Sequence, residues 1–566
     1  MAEQIVQIKS LPGIKRDGTK FEGDSYVDGQ WVRFQRGLPR KIGGYRSINK
    51  YLLGVARTLL EYTQDSLTYV HAGSANLLER FYIDGSYNTS VIANRTPVTG
   101  FTPAPANLWQ FDVAYDTTNG NQLVAQVAPN LNCICNSEGG ELFTGDLLGT
   151  GALTPVTAVP ANFNCTGGVV TLPPYTFAFG NDGYVAWSVP NGPADFTSSG
   201  AGNAYITGQK VVKGMPLRGG PGNSPSGLFW SADALIRASY VGGTAVFQFD
   251  TISTQSSIMS AACVIEYDGI FYWIGTDRFL SFNGVVREID NNLSLNFFFD
   301  NINMAHRQKV FALKVPRYGE IWWCFPKGDS TEPNHAIIYN VREGTWYDTA
   351  LPNGGRAAGL FPAVFRKPLM SGSEPYFLPD DTRVTERYSA AGPGPSLSLD
   401  FIGGSYSSEM LTVDGIRITE DGDDTRVTED SGSPRYKFWV HEVGANEIDG
   451  INENPIQSYF ETADISMPVM AQKNNALQVL LMEPDFVQSG PLTVQVKGRA
   501  NARAQEVDGD IMTIPEVPAT PQEQVVFFKT QRRELRFRFE SNCIDGDYQM
   551  GLVLAHLQPG DGTVLG

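Results

Sequence analysis

The sequence predicts an all-β protein: a β-propeller of about six or more blades, an inserted acidic-repeat hairpin region, and a C-terminal β-sandwich-like domain. Three observations predict it. From Tyr51 to about Leu351 the chain repeats one theme, an apolar alternating run, a Gly or Asp-Gly turn and a second alternating run, which is the spacing of consecutive hairpins. The units recur about every 40 to 50 residues, the period of propeller blades. Gly 59 and Pro 34 in 566 residues come to about 16%, against an average near 12%, while charged residues are 18% against about 25%. A surface built from turns and uncharged polar side chains suits many short strands better than a helical enzyme.

Residues 1–50 read as an N-terminal arm with the first strands. Residues 51–353 read as the propeller body, with units near 54–92, 108–156, 168–217, 218–258, 259–290 and 306–350. The clearest unit runs from Cys263 to Ile289, where Asp268-Gly269 and Asn283-Gly284 each join two alternating runs, giving four strands in 27 residues. No strict motif repeats between units, so a WD40 array is not expected. In Tyr339-Asn-Val-Arg-Glu-Gly-Thr-Trp346 the two aromatics fit either a kelch-like unit or a plain hairpin with a cross-strand aromatic pair. Leu293, Phe297, Phe298, Ile302 and Ala305 recur at roughly helical spacing, so 292–307 reads as a helix, or else as an irregular loop with buried Phe residues.

Residues 354–453 read as a linker and an acidic-repeat insertion. Arg417-Ile-Thr-Glu-Asp421 recurs as Arg426-Val-Thr-Glu-Asp430, each copy a short strand closed by a polar turn. Residues 454–566 carry longer alternating runs, such as Leu492 to Val496 and Leu535 to Phe539, and read as the sandwich, with 508–522 and its three prolines as a long loop.

The charge bounds function. Sixty Asp and Glu against 43 Lys and Arg leave −17, which argues against a freestanding nucleic-acid or membrane-surface binder. Six cysteines without framework spacing fit a reducing compartment, and Cys133-x-Cys135, alternating on a strand, reads as a pair of buried thiols. Met1 to Ile14 shows no basic-then-apolar leader, and no run of 18 apolar residues occurs, so a soluble chain without a membrane span is expected.

Sequence-local catalysts are missing: there is no Walker A loop, His-Glu-x-x-His, Gly-x-Ser-x-Gly or Gly-x-Gly-x-x-Gly. The five histidines lie 29 or more residues apart, so only the fold could assemble them. No catalytic residue, cofactor or metal is expected. A carboxylate pair at the blade ends would suit a glycosidase, but the Ser-x-Asp-x-Gly-x-x-Trp boxes of sialidase-type propellers do not occur.

Two groups of residues are candidates for interaction. Arg33, Arg36, Arg40 and Lys41, and likewise Arg532, Arg533, Arg536 and Arg538, alternate with apolar residues. Each set reads either as a solvated strand face or as a subunit interface that pairs guanidinium groups with an acidic neighbour. Asp421, Asp423, Asp424, Glu429 and Asp430 form an acidic cluster on a loop or channel lining; it departs from the EF-hand ligand order and reads as a solvated turn.

Several segments together resemble the tail nozzle proteins of short-tailed bacteriophages, also called packaged-DNA stabilisation or tail accessory proteins. They are Tyr26 to Gly44, Phe229-Trp-Ser-Ala-Asp-Ala-Leu235, Phe299 to Asn303, Gln308-Lys-Val310, Tyr318-Gly-Glu-Ile-Trp-Trp-Cys-Phe-Pro326 and Ala336 to Tyr347, with the acidic repeats as a weaker sign. The motifs touch about a third of the chain and are packing and turn signatures. The resemblance implies a homohexameric ring in the virion tail, below the portal and head-to-tail adaptor, made in the host cytoplasm. That ring carries tailspikes or fibres, closes the DNA channel and passes DNA as cargo. A subunit charge of −17 suits such a conduit, since a net negative lumen repels phosphate. The competing classes are a receptor- or glycan-binding tail adhesin and, behind it, a carbohydrate-active propeller enzyme.

Overall fold

The computed structural model describes residues 4–19, 24–99, 101, 103, 107–128, 141–163, 165–217, 224–376, 398–401, 404–407, 412–413, 416–418, 425–427, 434–466, 476–501 and 503–560. The acidic cluster Asp421, Asp423, Asp424, Glu429 and Asp430 and the pair Cys133 and Cys135 lie outside the described residues.

The body is a β-propeller of seven sheets. Six are four-stranded antiparallel meanders whose first strands are Thr58–Gln64, Leu108–Asp116, Gly168–Leu172, Val211–Pro216, Ile265–Tyr267 and Phe311–Val315. They are called blades 1 to 6 in that order. The strand Val211–Pro216 pairs with Ser226–Ser231 and opens blade 4, so the expected boundary at 217 falls one strand late.

Blade 7 departs most from the expected division. Arg356–Leu360, Leu369–Tyr376 and Arg435–His441, placed in a linker by their weak patterning, are successive strands of one sheet. Its fourth strand is Tyr45–Leu52, which pairs antiparallel with Arg435–His441, placing Tyr45 opposite His441. The ring is thus closed by pairing an N-terminal strand with the last blade. First strands of blades 7 and 1, 1 and 2, 2 and 3, 3 and 4, and 6 and 7 lie side by side around the axis.

Turn chemistry sets the local order. Asp268 and Gly269 have φ of 56° and 79°, the left-handed pair of a type I′ turn, and Tyr267 pairs directly with Ile270. Tyr339 stands opposite Trp346 with ring centroids 4.7 Å apart, so the plain hairpin reading holds. The helical segment 292–307 is two pieces, an α-helix Leu295–Asn301 and a 3-10 turn Met304–Lys309, parted where Ile302 turns extended. Phe298 packs between Phe279 and Phe325, at 5.2 and 4.7 Å.

The sandwich-like region is woven from both ends of the chain. One sheet runs Gln4–Gln7, Leu554–Pro559, Leu477–Glu483, Val526–Arg532; a second runs Asp28–Gln30, Ser458–Glu461, Glu534–Ser541, Leu492–Arg499, Val507–Ile514; a third runs Phe486–Ser489, Asp547–Met550, Leu38–Lys41, Val32–Gln35. The described strands between Gln4 and Lys41 therefore belong to this region rather than to a separate arm, and 507–514 is a strand, with the proline-rich loop beginning only after it. One continuous apolar core joins these sheets to blade 6, with Trp31, Phe34, Trp322, Tyr347, Phe460 and Phe537 among its members. In the insertion, the strands Ile416–Ile418 and Thr425–Val427, which carry the first residues of the two repeat copies, pair antiparallel.

Candidate functional site

The N-terminal segment lies along the outer strand of blade 6 and ties it to the sandwich-like sheets. Gly13, at φ 102°, fits where a Cβ would meet Leu293 Cδ1 at 2.5 Å and the Trp346 carbonyl at 2.7 Å, so no other residue passes there without displacing backbone. Beyond it Arg16 donates from Nε to Asp348 Oδ1 at 2.7 Å, from Nη1 to Asp28 Oδ1 at 2.5 Å, and to the Gly29 carbonyl. On its far side Asp348 Oδ2 meets His335 Nε2 at 2.8 Å. Burial alone would raise the Asp348 pKa, but Arg16 and His335 override it and hold the carboxyl at about 2.

A second network lies deeper. Arg33, 1% exposed, places Nε 2.9 Å from Glu320 Oε1 and pairs through Nη2 with Glu442. Its guanidinium stacks 3.7 Å over the Tyr318 ring. Glu320, fully buried, also accepts from Trp322 Nε1 at 2.9 Å and from the Tyr347 hydroxyl at 2.7 Å. The network therefore spans the segment 32–35, blade 6 and the loop after blade 7. Both carboxylates of the network and the Tyr347 hydroxyl face partners in the same chain, an arrangement that fixes geometry.

Three of the eight predicted interface cations are consumed internally, which corrects the reading of both stretches as open faces. Arg33 is in the network above. Lys41, 2% exposed, donates to the Gly546 carbonyl at 2.6 Å, and burial lowers its pKa to about 8 against the pull of Asp547 and Cys543. Arg536, also 2% exposed, sits 3.1 Å from both Asp464 and Glu506. Arg538 lies 3.5 Å over Tyr459 and pairs with Glu540 at 2.9 Å. Arg532 and Arg533 are half-buried at the end of one strand and the turn into the next.

Arg36 and Arg40 do stay at the surface, and the fold adds to them two arginines that sequence reasoning missed. Arg317 and Arg342, both exposed, come from the two hairpin turns at one end of blade 6, and Arg342 donates to the Arg317 and Pro316 carbonyls at 2.9 and 2.7 Å. Arg317 and Arg40 flank the Tyr318 ring at 5.3 and 5.8 Å from its centroid. Only the hairpin register of blade 6 brings 317 and 342 together, so no linear run announces them.

The five histidines lie on five different elements. His71, fully buried in blade 1, meets Arg95 Nη1 at 3.2 Å, and burial with Arg95 and Arg80 pulls its pKa down to about 3. His441 stacks on Tyr45 at 5.3 Å and contacts Arg356. A cavity of about 410 Å³ between blades 1 and 7 is lined by Tyr51, Leu53, Glu79, Asn94 and Arg435 among others. Burial raises Glu79 to about 7, yet its carboxyl is anchored to the Leu53 N–H at 3.0 Å, holding a turn. Among the described residues no group of three or more His, Cys, Asp or Glu is placed to hold a metal, and no helix is long and apolar enough to cross a membrane.

No family model and no curated protein matches the chain. Solved structures with a similar layout include a candidate 6-phosphogluconolactonase from Bacteroides uniformis, at 15% identity and TM-score 0.35, covering 54% of this chain and 89% of that one. The WD40 propeller domain of Doa1 is 12% identical at TM-score 0.36, covering 58% and 93%. A puromycin hydrolase is 12% identical at TM-score 0.33, covering 55% and 49%. At this level the likeness concerns strand layout and says nothing of activity.

Proposed function

We propose that the chain is a structural, non-enzymatic subunit of a phage tail nozzle, a ring below the portal and adaptor that carries tailspikes or fibres, closes the DNA channel and passes DNA on ejection. One observation carries the reading beyond the resemblance in wording. Segments that bear the resemblance, far apart in sequence, meet in space: Arg33 of the first lies against Glu320 of the second, and Glu320 takes the hydroxyl of Tyr347 in the third. What the segments share is therefore one packed unit rather than scattered turns. Its polar groups are spent on rigidity, which is what a part held against pressurised DNA requires. The net charge of −17 agrees with a conduit that repels phosphate.

The test is loss and restoration. Particles assembled without the chain are expected to fill and then lose their DNA, and to retain it when purified protein is added before release from the host extract. Stable retention without the chain, or tight binding of host polysaccharide by the isolated protein, would reject the nozzle in favour of the adhesin.

A further inference from the structure

The chain carries two exposed charged surfaces of opposite sign that do not meet each other. The first is the arginine cluster at the hairpin ends of blade 6: Arg36, Arg317 and Arg342 exposed, Arg40 half-buried, and Tyr318 at the centre. None of these four arginines makes an ion pair among the described residues. The nearby acid, Glu343, has its carboxylate occupied by the Arg36 and Gly37 N–H groups, at 2.6 and 3.1 Å. A basic cluster whose guanidinium groups meet only neutral acceptors, on a chain of −17, is a place where an acidic partner gains both attraction and bidentate geometry.

The second surface is the strand Val507–Ile514, which ends its sheet, with the loop that follows it to Glu523. Asp508, Asp510, Glu516 and Glu523 are exposed there, and no Lys or Arg occurs between Arg503 and Lys529. Asp508 is 3.7 Å from Lys497; the other three acids make no ion pair among the described residues. The same edge exposes Ile511 (65%), Val517 (76%) and, on the neighbouring strand, Phe527 (56%). A sheet edge with bare apolar side chains is the usual signature of a surface that is covered in the assembled state.

We propose that the arginine cluster of one copy receives the acidic edge 508–523 of a second copy, so that copies join head to tail. Two acidic edges cannot meet about a two-fold axis without opposing like charges, so a symmetric dimer through this edge is disfavoured. A heterologous contact of unlike surfaces leaves one of each kind free at every step, and it closes into a ring when the rotation per subunit divides the circle. The proposal rests on the ring reading for its setting, and names the surfaces that would build it.

The experiment uses full-length chains in analytical ultracentrifugation with circular dichroism as the fold control. The variants are Arg317→Glu/Arg342→Glu and Asp508→Lys/Asp510→Lys, all at exposed positions. Each alone is expected to weaken self-association at least a hundredfold, and an equimolar mixture to recover it to within about tenfold of wild type, because each variant restores complementarity to the other. Folded variants that associate like wild type, a mixture that fails to recover, or a wild type that stays monomeric would each overturn the contact. So would a duplex DNA fragment that binds wild type and not the arginine variant while assembly is unchanged, since the cluster would then serve nucleic acid. DNA retention in particles tests the nozzle separately: retention lost without the chain, together with unaffected assembly of the variants, rejects this contact and keeps the nozzle.

Discussion

Two buried arginines show how differently the two sides of the propeller are held. Arg33 lies between two carboxylates, Glu320 and Glu442, that come from blade 6 and from the loop after blade 7. Arg95, equally buried, makes no ion pair among the described residues. It donates to the Asp146 and Gly151 carbonyls at 2.6 and 3.1 Å and touches His71, all within blades 1 and 2. Burial lowers the Arg95 pKa to about 10, whereas at Arg33 the two carboxylates reverse the effect of burial and raise it. The first cation joins parts of the chain about 300 and 400 residues apart; the second pins one loop. At these two sites a charge pair joins the ends of the chain, whereas neutral acceptors serve the contact between neighbouring blades.

The largest consequence concerns stability. Arg33→Met leaves the buried Glu320 and the half-buried Glu442 without a cation and is expected to cost about 3 to 5 kcal/mol. Arg95→Met leaves only carbonyls unsatisfied and is expected to cost about 1 to 3 kcal/mol. Urea unfolding followed by tryptophan fluorescence measures both. Equal losses, or a larger one for Arg95, would show that the carboxylates are not what distinguishes the two sites.

The second consequence is a pH dependence to which the Arg95 side contributes through His71. His71 titrates near its ordinary 6.5 in the unfolded chain but at about 3 when folded, because burial and two arginines oppose its protonation. A depressed histidine contributes stability that is complete above pH 6.5 and is lost as pH falls toward 3. The loss is about 1.4 kcal/mol per pH unit, or about 2 kcal/mol by pH 5. His335 and His441, also depressed by burial, add loss over the same acid range. Arg95→Met removes one of the opposing charges and lets His71 protonate in the folded chain at a higher pH, so its acid loss is expected to level off earlier, between pH 5 and 3, than that of wild type. A loss that levels off at the same pH as in wild type would mean that Arg95 does not govern the titration.

The same contrast explains what could be read in the sequence. Local features were legible: the Asp268-Gly269 turn, the Tyr339 and Trp346 pair, and most strand positions follow from alternation and turn chemistry that the chain displays residue by residue. The closure of blade 7 was not, because Tyr45–Leu52 finds its partner about 400 residues away and nothing in its pattern differs from that of other strands. The Arg33 site was misread for a related reason. Alternating Arg and apolar residues signal a solvated strand face, and only the packing of a second sheet turns that face inward. A signal did exist on the other side: Glu320 stands directly before Ile-Trp-Trp-Cys-Phe in a fully buried strand, and a carboxylate there demands a cation. Arg317 and Arg342 were invisible until hairpin register brought two turns together.

The smallest expected effect marks the local end of the comparison. Gly269 sits at φ 79° in the blade 5 hairpin, and a Cβ added to it would meet nothing within 4 Å. Its substitution therefore tests backbone conformation alone, with no buried partner to lose. Gly269→Ala is expected to cost about 1 kcal/mol, the penalty of a left-handed alanine, and Gly269→Asn less, since asparagine tolerates that region. Neither should alter the acid slope set by His71 or the urea response of Arg33→Met, because independent sites add. A double variant Gly269→Ala/Arg33→Met whose loss exceeds the sum of its parts would place this hairpin inside the network that joins the chain ends, and the division between local and long-range stabilisation would have to be redrawn.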